Sequence, residues 1–279
     1  MVFILLTGCG ASETNSKSRE IELSLGGSIE TVLASTSVKL RKDCDDTMCL
    51  YHFVVPSKSS ELITVKMHSA SSTLAIDNVS STTIVTTPSG LITEMDVYVA
   101  GVPTNAKHED AIAYFHQQVQ NLNAAGWQRY ILPNEARIPG SEASKFNSLD
   151  EVLGKSVGTG PGMDPNLKLT KEMWVSLPTT NIWMFYNGHE YLDLMVQREN
   201  SQDDPQNRGS YLFSWTFKSE EEFYALFVKA DDRKLWKELL PATLTRMAKE
   251  RQKTEAQLKK MGIEIDENYI DAKPPVEAG

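Results

Sequence analysis

Alternating apolar and polar positions dominate the chain between residues 29 and 99. The runs at 61–67, 81–87 and 91–99 are rich in Ser, Thr, Val and Ile, and turn-forming Pro, Ser and Gly residues separate them. A period of two is typical of strands that bury one face. This region is therefore predicted to form an antiparallel sheet.

The clearest predicted helix follows this region. Its apolar residues recur at spacings of three and four, which places them on one buried face: Ile112, Phe115, Val119 and Leu122. Thr104 and Asn105 are predicted to cap its start, and Gly126 to end it. Because 127–132 again has the pattern of a strand, one α+β lobe is predicted to close near residue 133.

The second half of the chain is predicted to form another lobe. Residues 134–167 are rich in Gly, Pro and Ser, which is typical of a linker or a long loop. A hairpin and a further strand follow, and Ser219 with Glu222 forms a capping box that opens a helix. Pro241 suits the first turn of a final helix. The predicted fold class is α+β, with two lobes of antiparallel sheet, packed helices and a helical C-terminus.

Composition and charge narrow the function classes. The 279 residues are 41% hydrophobic and 23% charged, as in ordinary globular proteins. No apolar run reaches the roughly eighteen residues of a transmembrane helix. The formal net charge of −9 argues against nonspecific binding to nucleic acid and favours association with a basic protein.

The N-terminus carries a short apolar run that ends in the motif Leu6-Thr7-Gly8-Cys9. This motif resembles the lipobox of bacterial lipoproteins, in which the chain is cut before the Cys and the Cys is acylated. The resemblance implies lipidation of Cys9, and the Gly at position 10, in place of Asp, implies sorting to the outer membrane. No Lys or Arg precedes the run, so either the true start lies upstream or the match arose by chance.

The residues after Cys9 are small and polar up to position 18, which is typical of a flexible tether. Several acyl chains anchor a protein stably without a membrane-spanning helix. The predicted segments are a signal peptide remnant (1–8), a lipidated tether (9–18), an N-terminal lobe (19–133), a linker or long loop (134–167), a C-terminal lobe (168–262) and an acidic tail (263–279).

Cys44 and Cys49 enclose four residues between two strand-like segments. A four-residue hairpin loop would place them opposite each other, within reach of a disulfide. Free thiols and a metal site are the alternatives, although His52 and His68 have no metal-like spacing from them. One disulfide and one lipidated Cys together fit an oxidising periplasm.

No catalytic motif is present. The segment His189-Glu190-Tyr191-Leu192-Asp193 lacks the second His of the zinc motif H-E-x-x-H, and it lies on a predicted strand. Gly154-Lys155-Ser156 ends like a phosphate-binding loop, but Leu149 stands where the first Gly belongs. We therefore expect a protein that is not an enzyme and has no cofactor and no metal site, with an undetected hydrolase as the less favoured alternative.

The hairpin around Asn187-Gly188 offers the main candidate binding surface. One of its faces is apolar and predicted to face the core, whereas the other mixes aromatic, Met and polar residues: Ile182, Met184, Tyr186, His189, Tyr191 and Asp193. With Asn187-Gly188 as a two-residue turn, position 186 would pair with 189, 184 with 191, and 182 with 193. Tyr and Met are frequent in protein interfaces. The alternative is that a helix or the Gly-rich loop covers this face.

In overall layout the chain resembles immunity proteins, which neutralise toxins such as the phospholipases delivered by type VI secretion systems. The lipobox, the tether, the tandem small α+β lobes and the Tyr/Trp-rich hairpins carry this resemblance. It implies a lipoprotein that faces the periplasm from the outer membrane, contacts the membrane through its lipid anchor only, and binds a toxin. Removing Tyr186 and Tyr191 together is then expected to weaken binding and leave the fold intact. A housekeeping outer-membrane assembly or accessory lipoprotein is the alternative.

Overall fold

The computed structural model of the protein describes residues 19–69 and 72–276. The predicted lipidation site Cys9, the segments 1–8 and 9–18, and the last three residues of the predicted tail lie outside the described residues. Within them, the strands are β1 (Glu20–Leu23), β2 (Arg41–Cys44), β3 (Cys49–Val54), β4 (Ile63–Ser69), β5 (Ser72–Thr86), β6 (Ile92–Val99), β7 (Ala106–Lys107), β8 (Gln128–Arg129), β9 (Glu151–Val152), β10 (Lys155–Ser156), β11 (Thr180–Asn187), β12 (Glu190–Asn200) and β13 (Arg208–Ser219). The α-helices are α1 (Ile29–Ser35), α2 (His108–Ala124), α3 (Lys171–Ser176), α4 (Glu220–Ala225) and α5 (Trp236–Lys260), and short 3-10 helices occupy Gly140–Lys145, Pro161–Met163 and Ala230–Leu235.

One large mixed sheet contains most of these strands. Its main order is β1-β4-β5-β6-β13-β12-β11-β8, while β3 pairs with β5, β2 with β3, and β7 with β13. β1 and β4 run parallel, and the other neighbours in this sheet run antiparallel. The predicted α+β class is confirmed, including the long helix near the C-terminus.

The two predicted lobes do not form separate sheets, so this part of the prediction is wrong. β6, from the first half of the chain, pairs with β13, from the second half, with Asp96 opposite Thr216. The Thr216 hydroxyl donates to Asp96 Oδ1 at 2.6 Å. Periodicity along a sequence indicates which side chains face inward, but it does not indicate which distant strand lies alongside. The sheet is therefore continuous across the predicted boundary.

β5 is the longest strand and changes partners along its length. Its first half pairs with β4 and its second half with β3. Between them, Asn78 adopts a φ of 58° and the register with β6 shifts, as in bulges that bend a strand. At the tip of the β4–β5 hairpin, the Ser69 hydroxyl donates to the Glu190 carboxylate, and Ser72 Oγ donates to the Ala125 carbonyl at 2.5 Å.

The inner face of the sheet is apolar, and α2 packs on it. The predicted stripe Ile112, Phe115, Val119 and Leu122 is buried, as expected. The helix begins at His108, later than predicted, because Asn105 has a φ of 56° and β7 still pairs with β13. At the other end Gly126 has a φ of 80°, a conformation that favours glycine, and ends the helix as predicted.

The C-terminal helices pack on the opposite face, near β11 and β12. Their buried side chains pack with those of nearby strands and loops in a cluster apart from the main core, which we call the second cluster. Its buried members are Tyr130, Tyr191, Phe223, Tyr224, Trp236, Leu240, Leu244 and Ala272. α5 begins at Trp236, so Pro241 lies inside the helix and not in its first turn. The C-terminal helices therefore cover the part of this opposite face that lies near β11 and β12.

Residues 134–167 form a long loop that is tightly held. It includes the 3-10 helices Gly140–Lys145 and Pro161–Met163 and the β9–β10 hairpin. The Glu135 carboxylate accepts backbone N–H groups of Gly158 at 2.8 Å and of Thr159 at 2.6 Å. These bonds fix the Gly-rich segment to the start of the loop.

Candidate protein-binding face

Strand pairing defines an outer face on the side of the sheet away from α2. Residues directly opposite each other in paired strands share one face, so the register gives three rows of side chains. The first row is Ile182, Met195, Ser214, Tyr98, Ser81 and Val54. The second row is Met184, Asp193, Thr216, Asp96, Thr83, His52 and Arg41. The third row is Tyr186, Tyr191, Lys218, Glu94, Val85, Leu50 and Asp43.

The hairpin register differs from the prediction by two residues. Asn187 pairs with Glu190, so the turn consists of Gly188, with a φ of 60°, and His189. Asn187 stays in the strand, where its side-chain Nδ2 donates to the Ala125 carbonyl at 3.2 Å. A shift of two keeps each strand residue on its predicted face, because side chains alternate with a period of two. The predicted core face is buried, including Trp183 and Leu194.

Tyr191 is placed inside the second cluster. Only 1% of it is exposed. Its ring stacks on Phe223, with centroids 3.9 Å apart, and its hydroxyl donates to the Tyr224 hydroxyl at 3.0 Å. A partner therefore cannot reach Tyr191, and replacing it together with Tyr186 would test the stability of the fold, contrary to the prediction that the fold would be left intact.

Tyr186 and His189 lie at the margin of the covered area. The Tyr186 hydroxyl donates to Gln128 Oε1 at 2.9 Å and to the Ile270 carbonyl at 3.2 Å, so the C-terminal segment holds it. His189 is exposed at the turn, and its Nδ1 lies 2.7 Å from Glu220 Oε1. The structure does not bring these two residues into one patch with Ile182.

The remaining candidates are Ile182 and Met184 on β11 and Asp193 on β12. Met184 is half-buried against the second cluster, and Lys218 Nζ donates to Asp193 Oδ2 at 2.8 Å. Ile182 is 39% exposed. It shares the first row with Met195, Tyr98 and Val54, and Leu212 lies on the same face of β13; we call these five residues the open patch. None of these five packs in a hydrophobic cluster of the described residues.

Acidic groups border the open patch in the second and third rows. Burial raises the pKa of Glu94, Lys218 opposes this effect, and the negative charges of Asp96, Glu222 and Asp193 raise the pKa further. The Glu94 carboxylate thus lacks full compensation when it is ionised. A cationic group of a partner placed here would supply the missing counter-charge.

The predicted disulfide between Cys44 and Cys49 is confirmed. The two residues pair directly across β2 and β3, and their Cα atoms are 4.1 Å apart. In the turn between them, Asp45 Oδ1 accepts the Thr47 hydroxyl at 2.7 Å and the Met48 N–H at 2.9 Å. Hydrogen bonds from the Thr47 side chain and backbone and from the Met48 backbone lower the pKa of Asp45. This closed hairpin extends the outer face at Arg41 and Asp43.

Sequence reasoning missed a buried arginine on α5. Arg251 is buried and donates to both Asp271 oxygens, at 2.8 and 2.7 Å. It also donates to the carbonyls of Ile131 at 3.3 Å and Leu132 at 2.9 Å. Its spacing of four residues from Met247 places it on the buried face of α5, which also includes Glu255. Arg251 thereby ties the C-terminal segment to the loop after β8.

Residues 19–69 and 72–276 contain no group of three or more His, Cys, Asp or Glu side chains arranged to hold a metal ion. No helix in the described part of the chain is long and apolar enough to span a membrane. No protein family, curated protein or solved structure gives a significant match to the chain.

Proposed function

We propose that this protein is a lipoprotein that faces the periplasm and acts by binding another protein, a secreted toxin that it inhibits. The open patch carries this proposal. Ile182, Leu212 and Val54 are 39%, 37% and 75% exposed on a sheet face that the described helices leave open in this area. Exposed apolar side chains grouped on one face and bordered by polar ones are frequent at protein interaction sites.

The charge pattern supports a cationic partner. The chain has a formal net charge of −9, and Glu94, Asp96 and Asp193 lie next to the open patch with Lys218 as the basic group among them. An acidic border around an apolar centre accelerates encounters with a basic surface and disfavours acidic ones. A toxin that presents Lys or Arg around its active site would fit this arrangement.

The compartment is part of the proposal. A disulfide such as Cys44–Cys49 persists in oxidising compartments and is rare in the cytosol. The lipobox Leu6-Thr7-Gly8-Cys9 supplies the anchor to the outer membrane. Immunity then requires that the protein meet the toxin at the membrane where the toxin acts.

A co-culture experiment tests this function. A strain that lacks the gene is grown with its parent, and the gene is restored as wild type, as Cys9→Ser without the anchor, as Leu212→Asp in the open patch, or as Leu33→Asp. Leu33 is the matched control because it is 39% exposed, against 37% for Leu212, and lies on α1 away from the outer face.

We expect the parent to kill the deletion strain, and the wild type and Leu33→Asp to rescue it. Leu212→Asp should fail to rescue although the purified protein unfolds at the same temperature as the control variant. Survival of the deletion strain would reject immunity and favour a housekeeping envelope role. Full rescue by Leu212→Asp would reject the open patch as the contact.

A further inference from the structure

A small polar pocket lies at the β8 edge of the sheet, apart from the open patch. Its volume is about 260 Å³. Four parts of the chain form its walls, namely β8, Tyr186 on β11, the loop that follows the 3-10 helix Pro161–Met163, and the C-terminal segment around residues 266–270. Pockets for drug-sized ligands occupy roughly 300–1,000 Å³, so this one suits a smaller molecule, such as a single ring with its substituents.

A buried ion pair fixes the frame of this pocket. The Arg129 side chain is nine-tenths buried, and its NH1 lies 3.2 Å from Asp164 Oδ2. The guanidinium also donates to the carbonyls of Ile138 at 3.1 Å and Thr159 at 3.2 Å. Asp164 Oδ2 in turn accepts the Gly140 N–H at 2.7 Å. These bonds hold the wall in place and neutralise the charges of the pair.

Two tyrosines supply further fixed groups. Tyr269 Oη accepts the backbone N–H of Ile131 at 2.8 Å, which leaves its own O–H free to donate. The Tyr186 hydroxyl donates to Gln128 Oε1 at 2.9 Å, and this bond leaves both N–H groups of the Gln128 amide as donors. Both rings offer apolar surface beside these polar atoms.

Unused amides complete the pocket. The side chains of Asn166 and Asn268 make no hydrogen bond with any part of the chain that the structure describes, although both line the pocket. An amide offers a donor and an acceptor side by side, which matches a hydroxyl group that donates and accepts at once. Asn166, Asn268 and Gln128 thus present three neutral amides around one cavity.

We propose that this pocket binds a neutral sugar unit. Ring hydroxyls would bond to the three amides and to the Tyr269 O–H, and the less polar side of the ring would lie against tyrosine. An anionic ligand is disfavoured because Asp266 lines the pocket and the Arg129 charge is already neutralised by Asp164. An apolar ligand would displace water from the exposed amides and from the Tyr269 hydroxyl without replacing its hydrogen bonds.

Saturation-transfer NMR on the full chain tests the proposal, with glucose, N-acetylglucosamine and maltose as neutral probes. Glucuronate and glucosamine serve as the anionic and cationic comparisons. We expect saturable binding of at least one neutral probe, weakened about fivefold by Asn166→Ala or Asn268→Ala, the effect of losing roughly one net hydrogen bond. Asn123→Ala, an exposed change on α2, is the matched control and should leave binding unchanged.

A second readout distinguishes the pocket from a surface elsewhere. Because Asn268 and Tyr269 belong to the C-terminal segment, bound sugar should slow the proteolysis of residues 266–276. Absence of binding by all three neutral probes would overturn the proposal. So would tighter binding of glucuronate or glucosamine, or equal binding by wild type and Asn268→Ala. None of these outcomes depends on whether the open patch binds a toxin.

Discussion

The outer face of the sheet has two regions that share the same strands but differ in solvent exposure. Near the β11–β12 turn, the C-terminal helices cover it and Tyr191 is 1% exposed. Four residues further along β12, Met195 is half-exposed and belongs to the open patch. The side chains of both residues point to the outer face. Their difference in exposure therefore results from the position of α4 and α5 and not from the local sequence. Partner binding is therefore expected in one region, and loss of stability on mutation in the other.

The largest expected effect comes from Tyr191→Ala in the covered region. It removes the ring that stacks on Phe223 and leaves the Tyr224 hydroxyl with fewer partners, so the free energy of unfolding should fall by about 3–5 kcal/mol. Ile182→Ala in the open patch is the control and should lower it by less than about 1 kcal/mol. Urea denaturation measures both, and equal losses would remove the distinction between the regions.

A smaller effect is expected from Arg251→Met, which removes the hydrogen bonds between α5, the C-terminal segment and the loop after β8. The change leaves the Leu132 and Ile131 carbonyls without their donor and releases Asp271, so we expect a loss of about 2 kcal/mol. Residues beyond Gly262 should also become more sensitive to protease. Arg246→Met is the matched control, since Arg246 pairs with Glu250 on the exposed side of the same helix and should contribute only about 0.3–0.5 kcal/mol. Similar proteolysis of the two variants would contradict this role of Arg251.

The smallest expected effect concerns Glu94 at the border of the open patch. Burial, partly opposed by Lys218, raises its folded-state pKa above the ordinary value of 4.5. A raised carboxyl pKa contributes stability below pH 4.5 and loses that contribution as pH rises through the folded-state pKa. Glu94→Gln should therefore stabilise the protein at pH 7, by about 0.5 kcal/mol, and bring no gain below pH 4.5.

Unfolding curves measured between pH 4 and pH 8 check this prediction. Glu199→Gln, an exposed change on β12, provides the control for removal of one negative charge. A stabilisation by Glu94→Gln that grew as pH fell would contradict the assigned direction. If Glu94→Gln stabilised the protein at pH 7 and also weakened binding of the proposed toxin, the acidic border would contribute to recognition while lowering stability.

Local features were predictable from sequence where one segment determines them. The buried stripe from Ile112 to Leu122, the glycine end of α2 and the Cys44–Cys49 disulfide depend on spacing within a few residues. The hairpin faces were also predictable, because an error of two residues in register preserves the alternation.

Features that join distant segments could not be predicted in this way. The β6–β13 pairing, the burial of Tyr191 and the contacts of Arg251 depend on which elements meet in three dimensions. The same alternation of apolar and polar residues is expected for two separate sheets and for one continuous sheet, as long as each sheet buries one face. The pocket at β8 was missed for the same reason, since its amides come from positions 128, 166 and 268.

The pairing of β6 with β13 also has a consequence for the rate of folding. The hydrogen bond between Asp96 and Thr216 joins residues 120 positions apart, and that between Ser69 and Glu190 joins residues 121 apart. Contacts of such long separation slow folding, since the intervening chain must first be brought together. A chain that emerges N-terminus first exposes β6 as an unpaired sheet edge until β13 arrives. An unpaired edge of this kind can pair with another chain, so aggregation competes with folding during that interval.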